Sequence, residues 1–326
     1  MNIFSKKQIL ITGAAGFIGH HLSLALKRRG DDVIGCDNFH PYYDPKLKQD
    51  RTSILQENGV VVLPVDIRER EALQNIIDDY GITHIVHLAA QAGVRYSLVN
   101  PQSYVDSNLE GFLSIMELCR ANPGIKCVYA SSSSVYGLNT KIPFSESDPT
   151  DLPTSLYGAT KKSNELIAHA YHHLFKIPLT GLRFFTVYGP FGRPDMAYFS
   201  FTKAVLEGKL IPVFGEGKLL RDFTFIDDIV EGTIAAIDLG ANYEIFNLGN
   251  HKPCSVLDLI SCIEKETGKK AQIKFEPMQP GDVHTTYADI SKSQKRLGFY
   301  PKTSLQEGIE QFVAWYTSYF SKSKNK

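Results

Sequence analysis

A phenol and an ammonium four residues apart, Tyr157 and Lys161 of the run Tyr157-Gly-Ala-Thr-Lys161, stand one turn above the other on the same face of a helix. Such a pair can serve as a tuned acid and base. A cation close to Tyr157 favours the phenolate, whereas an ordinary phenol, with a pKa of about 10, removes protons poorly near neutrality. A run of four hydroxyls, Ser131-Ser-Ser-Ser134, lies a short way upstream. Tyr-xxx-Lys alone arises by chance on many helix surfaces, so its meaning depends on the elements that hold it.

Those elements begin at Gln8-Ile-Leu-Ile-Thr12, a short apolar run that ends in Gly13-Ala-Ala-Gly16-Phe-Ile-Gly19. Residues 20–29 then read as a helix closed by Gly30 at its C-cap. A β-rich run over 32–36 ends at Asp37, eighteen residues beyond Gly19. In this strand, turn, helix, strand order the glycines let backbone approach a pyrophosphate, the helix N-terminus offers N–H groups, and Asp37 can bind a ribose diol. The pattern predicts a dinucleotide site, although its G-x-x-G-x-x-G spacing is one residue off the common fingerprint. Asp37 would repel a 2′-phosphate and no basic residue follows at once, which selects NAD over NADP.

The alternation continues with strands over 60–65, 84–88, 126–130 and 178–184 and helices over 69–79, 101–121 and up to 175. It predicts an α/β fold with a doubly wound parallel sheet of the Rossmann type, whose ligands sit at the carboxyl ends of the strands. Asp37, Asp66, Ala89, Ala90 and the serine run all fall at such ends. From 186 onward Gly and Pro increase, and helices over 197–207, 227–239, 255–267 and 304–318 alternate with short strands. This predicts a second, smaller α/β lobe for substrate over 186–226 and 251–320, with 227–250 rejoining a first domain of 1–185. Residues 321–326 read as a charged tail that frays.

Composition removes other classes. Thirty-five basic and thirty-five acidic residues cancel, so no global field draws the chain to nucleic acid or an anionic membrane. Five cysteines form no C-x-x-C pair, and the histidines lack metal-ligand spacing, so neither a disulfide framework nor a metal site is expected. No signal-like or membrane-spanning apolar run is present, and a cytoplasmic location is expected.

Taken in order, Thr12-Gly-Ala-Ala-Gly-Phe-Ile-Gly19, Asp37-Asn38, Asp66-Ile67, His87-Leu-Ala-Ala90, Ser131-Ser-Ser-Ser-Val-Tyr-Gly137 and Tyr157-Gly-Ala-Thr-Lys161 resemble the extended short-chain dehydrogenase/reductase family, specifically its nucleotide-sugar epimerases. The match runs from about residue 8 to about residue 318. The resemblance implies that Ser132 hydrogen-bonds a sugar hydroxyl, Tyr157 removes its proton, and Lys161 holds the nicotinamide ribose and lowers the Tyr157 pKa. It assigns NAD to Gly13, Gly16, Phe17, Ile18, Gly19, Asp37, Asn38, Asp66, Ile67, Leu88, Ala89 and Ala90, with Tyr157 and Lys161. The implied reaction oxidises C4 of the sugar to a ketone, turns the ketone over and reduces its other face.

Three stretches, 37–48, 130–137 and 183–197, resemble the UDP-glucuronate 4-epimerases within that family. They imply a UDP-sugar substrate converted from glucuronate to galacturonate. Ser133, Ser134, Thr186 and Arg193 would bind the C6 carboxylate, while Arg221 and Asp282 would hold the diphosphate and uridine ribose. Related decarboxylases and dehydratases place a Glu where Ser134 stands, which argues against loss of carbon dioxide. A UDP-glucuronate decarboxylase and another UDP-sugar 4-epimerase stay open as alternatives, a non-catalytic NAD-binding protein more remotely. Relatives dimerise through the helices flanking the sheet, so a homodimer is implied.

Overall fold

In the computed structural model, residues 6–278 and 283–323 are described. Seven strands, β1 (Gln8–Thr12), β2 (Asp32–Cys36), β3 (Val61–Leu63), β4 (His84–His87), β5 (Lys126–Ser132), β6 (Leu179–Phe184) and β7 (Tyr243–Leu248), form one sheet in the order β7-β6-β5-β4-β1-β2-β3. Every pairing in it is parallel. A parallel sheet is buried on both faces, so its strands must be apolar at successive positions. In β1, Ile9 and Ile11 enter one core with Val33, Val86 and Leu182, while Leu10 between them enters the opposite core with Ile34, Ile85, Phe112 and Ile115.

The chain leaves β1 toward β2 and β3 on one side and resumes with β4 on the other. Helices above and below therefore diverge at the carboxyl ends of β1 and β4, and the crevice between them is the natural ligand site of such a sheet. The Phe17–Arg29 helix opens there and closes at Gly30, whose φ of 103° and N–H bonds to Leu26 and Lys27 carbonyls make the expected left-handed cap.

Three elements depart from the sequence reading. The Lys46–Glu57 helix escapes a search for apolar periodicity because its buried side includes Lys48 and Arg51 beside Leu47 and Leu55. The single helix expected over 101–121 is divided: Gln102–Tyr104 and Gly111–Ala121 flank a π-helical segment, Val105–Glu110. That segment buries Asn108, whose side chain bonds Gln91 N and O and Thr160 Oγ1. Finally, the C-terminal helix spans Leu305–Ser323 and continues into the expected tail; residues 324–326 lie outside the described residues.

Short strand pairs sit over the crevice. Thr186–Tyr188 pairs with Phe223–Phe225, Leu210–Phe214 with Gln272–Glu276, and Leu220–Arg221 with Cys254–Ser255. Among the described residues, no helix is long and apolar enough to cross a membrane.

Candidate active site

A cavity of about 880 Å³ follows the carboxyl ends of β1, β2, β4, β5 and β6 and reaches under the short strand pairs. At its dinucleotide end, Gly13 has φ +73°, and a Cβ on it would lie 2.8 Å from Ala89 N. Any side chain at this position would collide with the β4 loop. The following helix starts at Gly16 without a side-chain cap and without an acid in its first turn. Its N-terminal N–H groups are thus left to an anionic ligand, as a pyrophosphate requires. Gly16, Phe17, Ile18, Gly19, Asn38, Ile67, Leu88, Ala89 and Ala90 line the same end. This half fits NAD.

Asp37 also lines the cavity, but it has a basic partner that the sequence reading missed. Lys48 Nζ donates to Asp37 Oδ1 at 3.0 Å, with both side chains buried, and Phe39 N donates to the same oxygen at 2.8 Å. Both bonds use Oδ1, which leaves Oδ2 for a ribose hydroxyl. Lys48 lies eleven residues from Asp37 and reaches it only because the helix at 46–57 folds back over β2. Asp66 stands next to the lining residues Val65, Ile67 and Asn38. Its carboxylate accepts from Asn38 Nδ2 at 2.8 Å and from Arg68 N and Nε. Burial alone would raise its pKa, but these hydrogen bonds bring it down to about 2. Asp66 therefore holds Asn38 from behind.

The centre of the cavity brings together Ser132, Tyr157 and Lys161. Ser132 ends β5 and accepts from Ser134 N at 3.2 Å, while its hydroxyl donates to Ser134 Oγ. Tyr157 and Lys161 stand on the Leu156–Phe175 helix, capped by Ser155 through Gly158 N. Gly158 is needed here, because a Cβ on it would sit 2.7 Å from the Ser134 carbonyl oxygen. Its absence of side chain lets the helix press against the serine turn and brings Tyr157 to Ser132.

Burial dominates the electrostatics of the pair. Burial pushes the Tyr157 phenol up, opposed by a hydrogen bond from Ser132 and by the charge of Arg193. Lys161 Nζ donates to the Ala130 carbonyl at 2.9 Å, and burial lowers its pKa to about 8.

Below the serines lies a buried polar chain. Ser131 Oγ donates to Glu165 at 2.6 Å, and Arg183 grips Glu165 with two bonds of 2.8 Å. Arg183 also donates to the Tyr136 hydroxyl, which donates to Asn247 Oδ1. A buried ion pair with its remaining bonds satisfied fixes geometry more than it adds stability. It sets where β5 ends, and so where Ser132 points.

At the sugar end, Ser133, Ser134, Thr186, Arg193 and Arg221 line the cavity; Asp282 lies outside the described residues. Arg193 binds Asp195 through two bonds, at 3.0 and 2.5 Å, so its charge reaches the cavity already paired. Tyr42 donates to Asp195 at 3.1 Å and packs against Tyr96, with ring centroids 4.5 Å apart. Tyr42, Tyr96 and Asp195 all line this end, and neither their spacing nor their type distinguishes them in the sequence. Arg221 donates to the Leu220 and His284 carbonyls.

A parallel α/β sheet with a glycine turn at its switch point and a Ser, Tyr, Lys centre defines a dinucleotide-dependent enzyme acting on a hydroxyl or carbonyl carbon. Residues 10–312 match the GDP-mannose 4,6 dehydratase family model, and the chain belongs to this family within the extended short-chain dehydrogenases/reductases. UDP-glucuronate 4-epimerase 4 of Arabidopsis thaliana is 52% identical over 97% of this chain and 76% of its own length. A crystal structure of UDP-glucuronic acid 4-epimerase from Bacillus cereus, with UDP-glucuronic acid and NAD, superimposes with a TM-score of 0.90 at 39% identity, covering 96% of this chain and 99% of that one. UDP-glucose 4-epimerase of Thermotoga maritima, with UDP-glucose, gives 0.86 at 30% identity over 96% and 99%.

Proposed function

We propose that this protein is an isomerase that uses NAD to interconvert UDP-glucuronate and UDP-galacturonate at C4 of the sugar. The glycine turn, Asp37 with Asn38, and Lys161 would hold the dinucleotide. When bound, it supplies the reversible hydride acceptor for C4 that no side chain provides. Tyr157 removes the proton of the C4 hydroxyl and returns it to the oxygen of the 4-keto sugar, with Ser132 donating to that oxygen. Burial raises Tyr157, so the base works through its neighbours: Ser132 and Arg193 oppose the effect of burial, and positive charge at Lys161 and the dinucleotide adds to them.

The observation that carries the epimerase reading over a lyase is the acid content of the cavity. Among its described lining residues the only acids are Asp37, at the dinucleotide end, and Asp195. Burial would raise Asp195, but the Arg193 charge and hydrogen bonds outweigh it and hold the carboxyl below its ordinary range. Asp37 stands at the other end of the cavity, and a carboxylate held ionised by Arg193 is a weak base. A 4-ketone with a C6 carboxylate on its neighbouring carbon is a β-keto acid, which loses carbon dioxide unless the carboxylate is held. Ser133, Ser134, Thr186 and Arg193 offer donors for that purpose, and charge-assisted bonds are the strong ones.

The test is the product. UDP-galacturonate formed from UDP-glucuronate by purified protein is the expected result; UDP-xylose with carbon dioxide would replace the epimerase by a decarboxylase. The reading includes a homodimer formed through the Gly111–Ala121 and Leu156–Phe175 helices, on which Leu113, Leu166 and Leu174 are exposed. Light scattering on the eluted protein checks its mass. It also includes a cytoplasmic location, which suits five cysteines without a disulfide.

A further inference from the structure

Arg51 is fully buried, at 0% exposure, and among the described residues its hydrogen bonds go to carbonyls and a phenol instead of a carboxylate. Nη1 donates to the Ala15 carbonyl at 3.0 Å and to Tyr43 OH at 2.7 Å. Nε and Nη2 donate to the Phe191 carbonyl at 3.2 and 2.6 Å, and Nη2 also reaches the Gly192 carbonyl at 3.3 Å. Ala15 lies inside the glycine turn; Gly192 immediately precedes Arg193. One guanidinium thus spans the dinucleotide turn and the loop that aims the substrate-side arginine.

A buried cation without an anionic partner is costly, and a chain keeps one when its fork fixes several acceptors at once. Here the fork holds a strained loop. Phe191 has φ +55°, a conformation unfavourable for a side chain of its size. Its ring is packed between His20, at 5.1 Å, and Trp315, at 4.9 Å, and His21 Nε2 bonds the Pro190 carbonyl at 2.9 Å. His20 and His21 belong to the helix that starts at the glycine turn. Burial above all lowers His20 to about 3 and His21 to about 4, so both remain neutral packing groups. The neighbouring tyrosine completes the circuit, since Tyr43 bonds Arg51 while Tyr42 bonds the Asp195 that pairs with Arg193.

We propose that Arg51 is a positioning residue that couples the two ligand sites, so that an occupied dinucleotide turn sets the loop carrying Arg193 and a bound uronate tightens the dinucleotide in return. It rests on the NAD and UDP-glucuronate reading above. Behind the turn, the guanidinium also adds positive charge where the helix N-terminus meets an anionic diphosphate. Coupling between binding sites is reciprocal, and factors of about 5 to 150 are typical.

The experiment uses the full chain with Tyr157→Phe, which suppresses turnover. The NAD dissociation constant is measured by equilibrium dialysis with and without saturating UDP-glucuronate. With Arg51 present, the sugar nucleotide is expected to tighten NAD by about tenfold; with Arg51→Met, the ratio falls to about one. Tyr43→Phe removes a single acceptor, is expected to fold, and should lower the ratio by about threefold. If Arg51→Met does not fold, Tyr43→Phe decides. An unchanged ratio in the folded variants, even with a lower melting temperature, overturns the proposal. Failure of the Arg51-containing protein to bind NAD or UDP-glucuronate would instead sink the functional reading beneath it.

Discussion

The two ends of the cavity are built in different ways. The dinucleotide end is largely backbone: a turn of consecutive residues, Gly13 to Gly19, presents the start of a helix, with side-chain charge added at its margins by the Asp37–Lys48 pair. The sugar end is side chain, assembled from the serine turn after β5, Thr186, the Arg193–Asp195 pair, Arg221 and the tyrosines of two loops. A site made of contiguous backbone tolerates change everywhere except at its glycines. A site made of distant side chains is easily retuned, which suits a family whose relatives here act on different UDP-sugars.

That contrast can be tested from its strongest point downward. Tyr157→Phe should lower turnover of UDP-glucuronate about 10³-fold while NAD stays bound, measured as product formation and as NAD released on denaturation. Loss of NAD from this variant would mean that the two ends are not separable.

Lys161→Met should lower turnover about 10²-fold without lowering the melting temperature at pH 7. Its sign follows from the folded pKa near 8, below the ordinary 10.5. Folding therefore disfavours the charged lysine, and the cost is fully present below pH 8 and fades as pH rises to about 10.5. Melting curves across that window should show the variant's advantage shrinking with pH. A gap that widens would show that Lys161 is stabilised by its surroundings.

Arg193→Ala should raise KM for UDP-glucuronate about tenfold or more, and for UDP-glucose much less. Equal effects on both substrates would assign Arg193 to the shared nucleotide portion. The smallest effect belongs to the backbone end. Lys48→Met should weaken NAD by about threefold, and NADP by more, because Asp37 then meets a 2′-phosphate with its charge unneutralised. Improved NADP binding in this variant would reverse the part assigned to Lys48.

How much was legible follows from the same division. Gly13, Gly16 and Gly19 could be read because a phosphate-binding turn is a property of neighbours in the chain, and Tyr157 and Lys161 because helix geometry alone places them on one face. Strand positions were readable to within a few residues, since both faces of a parallel sheet demand apolar runs. The Lys46–Glu57 helix was not, because it buries Lys48 and Arg51 where periodicity looks for apolar residues.

By itself, the sequence determined the parallel strands, the glycine turn and the placement of Tyr157 and Lys161 on one helix face, because each depends on interactions over a few residues. Only the tertiary structure decided which charges meet. It bound Asp66 to Asn38 and Arg68, gave Asp37 a lysine and Arg193 a carboxylate, and set Lys161 against a backbone carbonyl. The physical reason is that the sign and strength of an ion pair depend on separation and burial, which the chain sets only once distant segments pack together.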